Sequence, residues 1–584
     1  AQNNPINDLD IWNDYWNFGT ANTHNQQLTA NYDLPINKIP ALSFVKSSYV
    51  YTGDYSWQRS SDAFSTFQAL DGTTYQLGNT IQNANSHKIN AGLDMNAFYK
   101  YIGLTAKKQK KQPVATKKTP PKPGEKVVNT APKVIQEERS GFAKFGFGLL
   151  TSIKNIQVNY TQSGGTLLPG YLPGLGFFGT SKPTLGFVFG DQSDIRYESA
   201  RRGYLTNYPE FNQSFTQITS KRLDYTAQVE FIPDLKIDVN AERNITENYS
   251  EQFDAVDGNY NSLSPYSTGN YSISTIMIKT AFKASDENQS EIFDRFRKNR
   301  YAMATRLADD YYGASNYNLD AEGYPVGFGK NSQRVLVPAF LSAYSGVKTS
   351  SVQTGLFSNF PLPNWNLKYT GLMKLAWFKD NFKRFSMQHG YRSSYSVNAY
   401  RSNLNPSPVD TKGNLFPDVI TSNVNLTEQF NPLININFEL KNSLNIMAEM
   451  KKDRSFNMSF DNNLLTEVQG NDYTVRIGYR IKGVQFNSKL ADNAQGMIKS
   501  DINLKADFTL RQNMTIVRYL DYDNNQLGGG QNIWSFKLTA DYSFSKNFTA
   551  IFFYDHQFSK AVISTAFPLT NIRSGFTLRY NFGN

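Results

Sequence analysis

The chain has 584 residues, enough for several ordinary domains or for one large all-β unit. Its composition is 14% aromatic, with 42 Phe and 35 Tyr, and its mean hydropathy is negative, a mixture that favours β-structure. No stretch approaches 18 consecutive apolar residues, which excludes a helical membrane span. The absence of cysteine excludes disulfides, thiolate metal sites and thiol nucleophiles.

Strict alternation of polar and apolar residues predicts strands from the N-terminal region onwards. Examples are NQQLTANYDL, SFVKSSYVYTGDYSW and HKINAGLDMNAFYKYI, which span 25–34, 43–57 and 87–102. Successive side chains of a strand point to opposite faces, so each of these segments has an apolar face and a polar face. A strand of about 15 residues is long for a globular protein.

Residues 104–140 interrupt this pattern with a Lys/Pro-rich stretch that has no apolar periodicity. Eight lysines between residues 106 and 126 account for much of the net charge of +11. Two explanations remain open, a solvated flexible linker and a nucleic-acid-binding patch. A nucleic-acid patch would need aromatic or groove-reading residues beside the charge, so we expect a linker and no nucleic acid partner.

The long connector at 163–220 contains an apolar, Gly- and Pro-rich stretch at 167–190. Such a stretch either packs against the protein or forms a docking surface for a partner. Two helices are predicted further along, one over about 287–309 and one in RVLVPAFLSAYSG, broken or started by Pro338.

Alternation then continues to the C-terminus, and about sixteen strand segments are counted in all. They include LKIDVNAE, WNLKYTGLMKLAW, DYTVRIGYR, IWSFKLTADYSF and the terminal SGFTLRYNFGN. Short turns alternate with long polar connectors at 58–85, 163–220, 248–268 and 402–420, and GGG at 528–530 is expected to be a loop.

Two environments fit strands of this kind. The apolar face packs on a second sheet in a soluble sandwich, or it faces lipid while the polar face lines an aqueous interior. The alternation of short turns with long connectors, and the aromatic residues near the segment ends, favour the second environment, a barrel in a membrane. The sequence thus predicts an all-β fold, a transmembrane antiparallel β-barrel of about 16 strands of a larger barrel, with long extracellular loops and a few short helices.

No catalytic, cofactor-binding or metal site is predicted. The four histidines, His24, His87, His389 and His556, are isolated in sequence and do not have metal-ligand spacing. Carboxylates on neighbouring strands, namely Asp224, Glu230, Asp238 and Glu242, could form an acid/base pair, but charge on a polar wall is the simpler interpretation. We therefore expect no cofactor and no enzyme activity.

Several stretches in order carry a resemblance that covers about the whole chain. They are DENQSEIFDRFRKNRYAMATRLA, NSQRVLVPAFLSAYSG, LPNWNLKYTGL, HGYRSSYSVNAYRSNLN, LTEQFNPLININ and RQNMTIVRYLDY. Together they resemble the C-terminal region of the SprA/Sov family, the outer-membrane translocons of the type IX secretion system, which is linked to gliding motility. The chain is much shorter than a complete member, so the resemblance implies that residues 1–584 are the C-terminal part of a single large barrel.

This resemblance implies a protein-conducting pore in the cell outer membrane that exports folded proteins to the cell surface. The implied partners are outer-membrane lipid, the N-terminal remainder of the same barrel, a shuttle barrel protein, a periplasmic plug protein and secreted cargo proteins. The alternative function is another outer-membrane transporter, of TonB-linked receptor or large porin type. A barrel enzyme and a secreted β-rich adhesin are further possibilities, and dependence on detergent would separate the adhesin from every barrel.

Overall fold

A computed structural model of the chain describes residues 21–61, 65–70, 72–104, 151–176, 179–405, 407–487, 497–522, 524–544, 547–563 and 566–582. Apart from residue 104, the predicted Lys/Pro linker at 104–140 lies outside these residues. Nearly all of the described strands belong to one 17-stranded sheet, and β3 and β4 form a separate two-stranded sheet.

The strands are long and follow one another along the chain. They are β1 (Thr23–Leu34), β2 (Val45–Gln58), β3 (Thr66–Gln68), β4 (Thr74–Gln76), β5 (Asn79–Asp94), β6 (Ile153–Tyr171), β7 (Phe215–Val229), β8 (Leu235–Val256), β9 (Asn259–Ser274), β10 (Asn364–Tyr369), β11 (Phe382–Ser402), β12 (Val419–Ile420), β13 (Asn423–Leu440), β14 (Leu444–Ser459), β15 (Leu464–Asn487), β16 (Met497–Tyr519), β17 (Asn525–Ser543), β18 (Phe548–Ala561) and β19 (Leu569–Tyr580).

Every pairing in the large sheet is antiparallel. Outside the region of β8 to β13, each strand pairs with the next strand of this sheet along the chain, with β2 pairing with β5 because β3 and β4 form their own sheet. The predicted all-β class with antiparallel strands is confirmed, and the expected number of about sixteen is close to the observed one. Within the described residues, β1 pairs only with β2 and β19 only with β18.

In the region of β8 to β11, two strands, β9 and β10, occupy one position in the sheet between β8 and β11. Near the end of β9, Ile273 lies opposite Arg243 of β8, and β10 begins with Asn364 opposite Asn240 of the same strand. Both β9 and β10 also pair with β11. The two strands are therefore two halves of one interrupted strand, and residues 275–363 form an insertion between them.

At this interruption two side chains accept the hydrogen bonds that the backbone of a continuous strand would accept. The N–H of Glu242 on β8 donates to Oγ of Ser274 at 3.0 Å, and the N–H of Ser393 on β11 donates to Oδ1 of Asn364 at 2.8 Å. Buried backbone donors must find partners, and these two side chains supply what a continuous strand would have offered.

In the part of the chain that the structure describes, six α-helices accompany the sheet: α1 (Met95–Tyr101), α2 (Leu185–Val188), α3 (Arg196–Arg201), α4 (Glu291–Tyr312), α5 (Gln333–Ser345) and α6 (Ala376–Asn381). The two predicted helices are confirmed as α4 and α5. Pro338 lies inside α5 and does not break it, and Gly346 ends the helix in the left-handed region with φ of 69°.

Two predicted strands turn into helices before their apolar alternation ends. In 87–102 the strand stops at Asp94, whose side chain accepts a hydrogen bond from the N–H of Ala97 at 3.1 Å and caps α1. In 365–377 the strand β10 stops at Tyr369, and a 3₁₀ turn leads into α6. At both places a helix cap or a turn ends the strand, although the alternation of polar and apolar residues continues in the sequence.

Two predicted loops are strands. The supposed loop at 248–268 is the hairpin between β8 and β9, which turns through Asp257 and Gly258 at φ of 50° and 77°, the signature of a tight two-residue turn. The glycines at 528–530 lie within β17. Gly530 has φ of 136°, which irregular strand geometry requires there.

Two buried apolar clusters lie on the same side of the sheet. The larger one joins α4 and α5 to the ends of β9, β11, β13, β14, β15 and β16, with Phe296, Phe340 and Phe456 fully buried. The smaller one joins α2, α3 and the segment between them to β2, β5, β6, β7 and β8. We call the end of the sheet that carries these clusters the upper end, and the opposite end, where β11 begins and β13 ends, the lower end.

Two buried ion pairs fasten the insertion to the sheet. Arg454 Nε lies 2.6 Å from Glu428, with both side chains buried, and its guanidinium also donates to the carbonyls of Met277 and Thr280. Arg518 pairs with Glu467 at 2.9 Å and donates to the carbonyl of Asp286. Both arginines thus hold residues 277–286, which lead into α4.

Replacement of Arg454 by Met is expected to lower the free energy of unfolding by about 3–5 kcal/mol, because Glu428 would remain buried without its cation. Urea unfolding followed by tryptophan fluorescence measures the loss. Arg511→Met is the matched control, since Arg511 is 56% exposed in its pair with Asp472, and a loss below about 1 kcal/mol is expected there. Equal losses in the two variants would contradict the assignment.

Candidate functional site

The large sheet has two faces of opposite polarity. Residues directly opposite one another in neighbouring strands share a face, so the strand register sorts the side chains. One level of the first face runs across six strands through Phe438, Ile446, Ile477, Ala506, Leu538 and Tyr554. We call this the apolar face and the opposite one the polar face.

Towards the upper end the apolar face is covered by the two helical clusters, but towards the lower end it is bare. Phe576 is 75% exposed, Leu578 66% and Phe508 45%. The other large apolar side chains exposed on this bare part, which we call the apolar belt, are Leu28, Tyr32, Ile89, Ile434, Tyr473, Val475, Ile477, Tyr479, Ile572 and Tyr580. An exposed apolar surface of this extent is far larger than a soluble monomer presents.

The belt has a definite height. In β17 the apolar face at the level of the belt runs from Trp534 to Tyr542, two aromatic residues eight positions apart with Phe536, Leu538 and Ala540 between them on the same face. At about 3.4 Å per residue this stretch is roughly 27 Å long. A spanning strand needs about 9–11 residues, with aromatic side chains at both edges of its apolar band.

The polar face carries a ladder of alternating charge at mid-height of the belt. Going from β15 to β19, directly opposite residues are Arg476, Asp507, Lys537, Asp555 and Arg573. The ladder ends on β14 at Met447, opposite Arg476. Opposite charges across neighbouring strands stabilise the pairing modestly and leave the row close to neutral.

Two of the carboxylates singled out from the sequence, Asp224 and Glu242, lie on this polar face and are held by cations. Asp224 and Glu242 are directly opposite each other in β7 and β8. Arg222 binds Asp224 at 2.8 Å, and Arg392 binds Glu242 at 3.1 Å. Each of these two carboxylates therefore has an arginine partner.

The four histidines lie on four different strands, and each has its own neighbours. Nδ1 of His87 is 2.7 Å from the hydroxyl of Tyr49, and Nδ1 of His389 is 2.7 Å from the carbonyl of Leu433. Among the residues that the structure describes, no group of three or more His, Asp or Glu side chains is arranged to hold a metal ion.

Much of the described part of the apolar stretch 167–190 is packed against the sheet, as the burial alternative predicts, but Leu185 is 62% exposed and Phe189 42% exposed. Leu168, Tyr171 and Phe187 are at most 1% exposed. The carbonyl of Phe189 lies directly over Gly53 of β2, where a Cβ atom would come within 2.1 Å of it. Only glycine allows this approach.

Arg196 holds the helix α3 against the sheet. Its guanidinium lies in a socket formed by Phe215, Glu251, Tyr249 and Tyr260, which could not be predicted from the sequence. Its guanidinium lies 4.7 Å from the ring centre of Phe215 and forms an ion pair with the fully buried Glu251. Glu251 also accepts hydrogen bonds from the hydroxyls of Tyr249 and Tyr260 at 2.7 and 2.6 Å. The socket therefore combines cation–π and charge-assisted contacts.

Burial by itself would raise the pKa of Glu251, but the hydrogen bonds to its carboxylate outweigh that effect. They come from Ser262, Tyr260, Tyr249 and Arg196. The pKa of Glu251 therefore lies below its ordinary value of 4.5. The ionised carboxylate is the form that holds α3 in place.

None of the described helices is both long and apolar enough to cross a membrane.

Comparison with known proteins gives a weak structural likeness only. No family model and no curated protein matches the chain. The FrpB iron transporter from Neisseria meningitidis is 9% identical, with 93% of this chain and 62% of that chain covered and a TM-score of 0.26. The outer membrane transporter YddB from Escherichia coli is 7% identical, with 92% and 55% covered and a TM-score of 0.29. The chain spans less than two thirds of the length of both, and TM-scores this low carry no argument about function.

Acidification is expected to release α3 from the sheet. Because the folded pKa of Glu251 is lowered, its contribution to stability is complete above the ordinary pKa and is lost as the pH falls through the folded pKa. Hydrogen exchange of residues 179–201, followed from about pH 7 to about pH 3, should show protection falling at the acid end.

Glu251→Gln is the control for this experiment. It should weaken protection at neutral pH and remove the acid step, whereas Asp194→Asn, which alters the exposed carboxylate beside Arg196, should leave most of the step in place. Identical pH profiles for the unaltered chain and Glu251→Gln would contradict the role of Glu251.

Proposed function

We propose that the chain forms part of the wall of an outer-membrane pore, with the apolar belt against lipid and the polar face lining a water-filled conduit. The observation that carries this proposal is that a single layer of sheet has both faces open, with opposite polarity, over a height suited to a bilayer. In an aqueous protein the apolar face would be covered.

A soluble sandwich would bury the belt under a second sheet. Tyr580 is 53% exposed and Phe582 94%, and among the described strands only the small β3–β4 pair lies outside the large sheet. Lipid covers such a surface without further protein, and the ladder of backbone hydrogen bonds leaves few polar groups facing it.

The directions of the edge strands support a larger barrel. β9 and β10 count as one strand position, and so do β12 and β13, which both pair with β11. The sheet therefore has fifteen strand positions, and fourteen antiparallel steps lead from β1 to β19, so these two strands run in the same direction. Antiparallel closure between them is impossible, and an odd number of further strands is needed. We propose that they come from the N-terminal remainder of a larger barrel, as the sequence resemblance implies.

Fifteen strand positions and an odd number of added strands give a barrel of at least sixteen strands, which is wide enough to leave an aqueous channel. Together with the resemblance to the SprA/Sov family, this supports the more specific proposal of a type IX secretion translocon. Secreted cargo proteins would pass along the polar face, with a shuttle barrel protein and a periplasmic plug protein as partners. The alternative proposal, a TonB-linked receptor or large porin, would also need an odd number of added strands for closure.

Single cysteines test the membrane arrangement, because the chain has none of its own. Phe508 and Lys505 are both exposed on β16, but Phe508 lies on the apolar face and Lys505 on the polar face. In lipid vesicles a water-soluble maleimide should label Lys505→Cys rapidly and Phe508→Cys many times more slowly, because lipid excludes the reagent.

Urea-unfolded protein provides the control, since both cysteines should then react at similar rates. Equal labelling of the two cysteines in vesicles would exclude the membrane proposal.

Depletion of the protein in its own cells separates the two transport proposals. If it is a secretion translocon, surface proteins should accumulate in the periplasm while uptake of iron and peptides continues. Loss of nutrient uptake with normal surface proteins would favour the receptor or porin. Both should be measured in the same cells and compared with cells in which the protein is restored.

A further inference from the structure

The connection between β10 and β11 at the lower end of the sheet carries a cluster of aromatic rings. Phe378 of α6 lies 5.0 Å from Trp377, 5.4 Å from Phe382 and 5.0 Å from Phe385, measured between ring centres. Phe382 in turn lies 5.3 Å from Phe438. Phe385 and Phe438 are directly opposite each other on the apolar face, so the cluster extends the belt past the strand ends.

Large apolar side chains in this cluster remain bare. Trp377 is 63% exposed and Leu375 is 54% exposed, although other rings pack around them. Isolated exposed apolar residues need no explanation, but here they adjoin a belt that is itself bare. A tryptophan at the edge of an apolar band is typical of the membrane interface, where one side of the ring is in acyl chains and its N–H is in polar surroundings.

Basic side chains surround this cluster in excess over acidic ones. The basic residues are Lys374, Lys379, Lys383, Arg384 and Lys441, and the acidic ones are Asp234, Asp380 and Glu439. Lys374 pairs with Asp234, while Lys383 and Arg384 share the single carboxylate of Glu439. The net positive charge is suited to the phosphates of lipid headgroups.

Two other connections at the lower end repeat this combination. The 3₁₀ turns between β1 and β2 expose Ile39 and Leu42 beside Lys38. The end of α1, which follows β5, exposes Tyr101 and Ile102 beside Lys100. Segments that combine a short helical turn, exposed apolar side chains and lysine are typical of structures that lie in the plane of a membrane surface.

We propose that the lower end of the sheet is a lipid-anchoring rim, in which the segment 371–385 lies in the headgroup layer of the bilayer. Leu375 and Trp377 insert between the acyl chains, and the lysines contact headgroup phosphates. This proposal rests on the proposed function, in which the apolar belt faces lipid. It adds the position along the strands at which the acyl chains give way to the headgroup layer.

Spin labels at single cysteines measure this depth in vesicles of phosphatidylcholine with phosphatidylglycerol. Ile477→Cys reports mid-belt, Lys505→Cys reports the polar face, and Leu375→Cys reports the rim. Relaxation by oxygen indicates contact with lipid, and relaxation by a water-soluble nickel complex indicates contact with water. The Ile477 label should be shielded from nickel, the Lys505 label should be accessible, and the Leu375 label should be several-fold less accessible than Lys505.

The outcomes separate the two proposals. A Leu375 label as accessible to nickel as the Lys505 label, with Ile477 shielded, would overturn the rim while leaving the membrane arrangement intact. An accessible Ile477 label would overturn the membrane arrangement itself.

Lys379→Gln in the Leu375→Cys background tests the headgroup contact. If phosphate contacts hold the rim, the label should become more accessible in vesicles with phosphatidylglycerol and change less in pure phosphatidylcholine. An unchanged label in both lipids would overturn the part assigned to charge.

Discussion

The hydrogen-bond ladder of a single antiparallel sheet is the constraint on which the rest of the structure depends. Along the belt the backbone N–H and C=O groups inside the sheet pair with neighbouring strands except at bulges, such as those between Phe430 and Ile434 and between Ile481 and Val484. Side chains therefore decide what each face can touch. Within the described residues, the outer edges of β1 and β19 are the rows left without such partners. A surface apolar on one side and polar on the other follows from a period of two along strands that keep their register.

The same constraint explains where the chain departs from regular strands. The insertion 275–363 leaves the sheet where Ser274 and Asn364 can bond to the backbone of both neighbouring strands, so that Glu242 and Ser393 keep hydrogen-bond partners. Irregular backbone is tolerated beside protein and water but not beside lipid. The helices α4 and α5 accordingly pack against the sheet towards its upper end. Their attachment relies on two Arg–Glu pairs that are buried and therefore shielded from water.

Sequence reasoning found the strands and the two longer helices because both follow from local periodicity. It failed where a single residue decides the geometry, as at Asp94, which caps α1, and at Asp257 and Gly258, which close a hairpin in place of a loop. The pairing of Arg454 with Glu428 could not be predicted either, because it requires the register of β13 against β14. The polar wall was predicted as a property of each strand, but the charge ladder across five strands emerges only from their mutual alignment.

The sheet contains buried ion pairs and exposed ion pairs, and the two kinds differ in how much they contribute to stability. Glu428 and Arg454 are shielded from water, so losing one partner is costly and the contact behaves as a permanent fastening. On the polar face, by contrast, Arg511, Arg480 and Arg573 are more than half exposed, and each pair contributes little to stability. Alternating charges that neutralise one another keep a wall wetted without giving it a strong field of one sign. A wall of this kind attracts water and neither holds nor repels a passing protein by its net charge, which is the property that the proposed conduit would require.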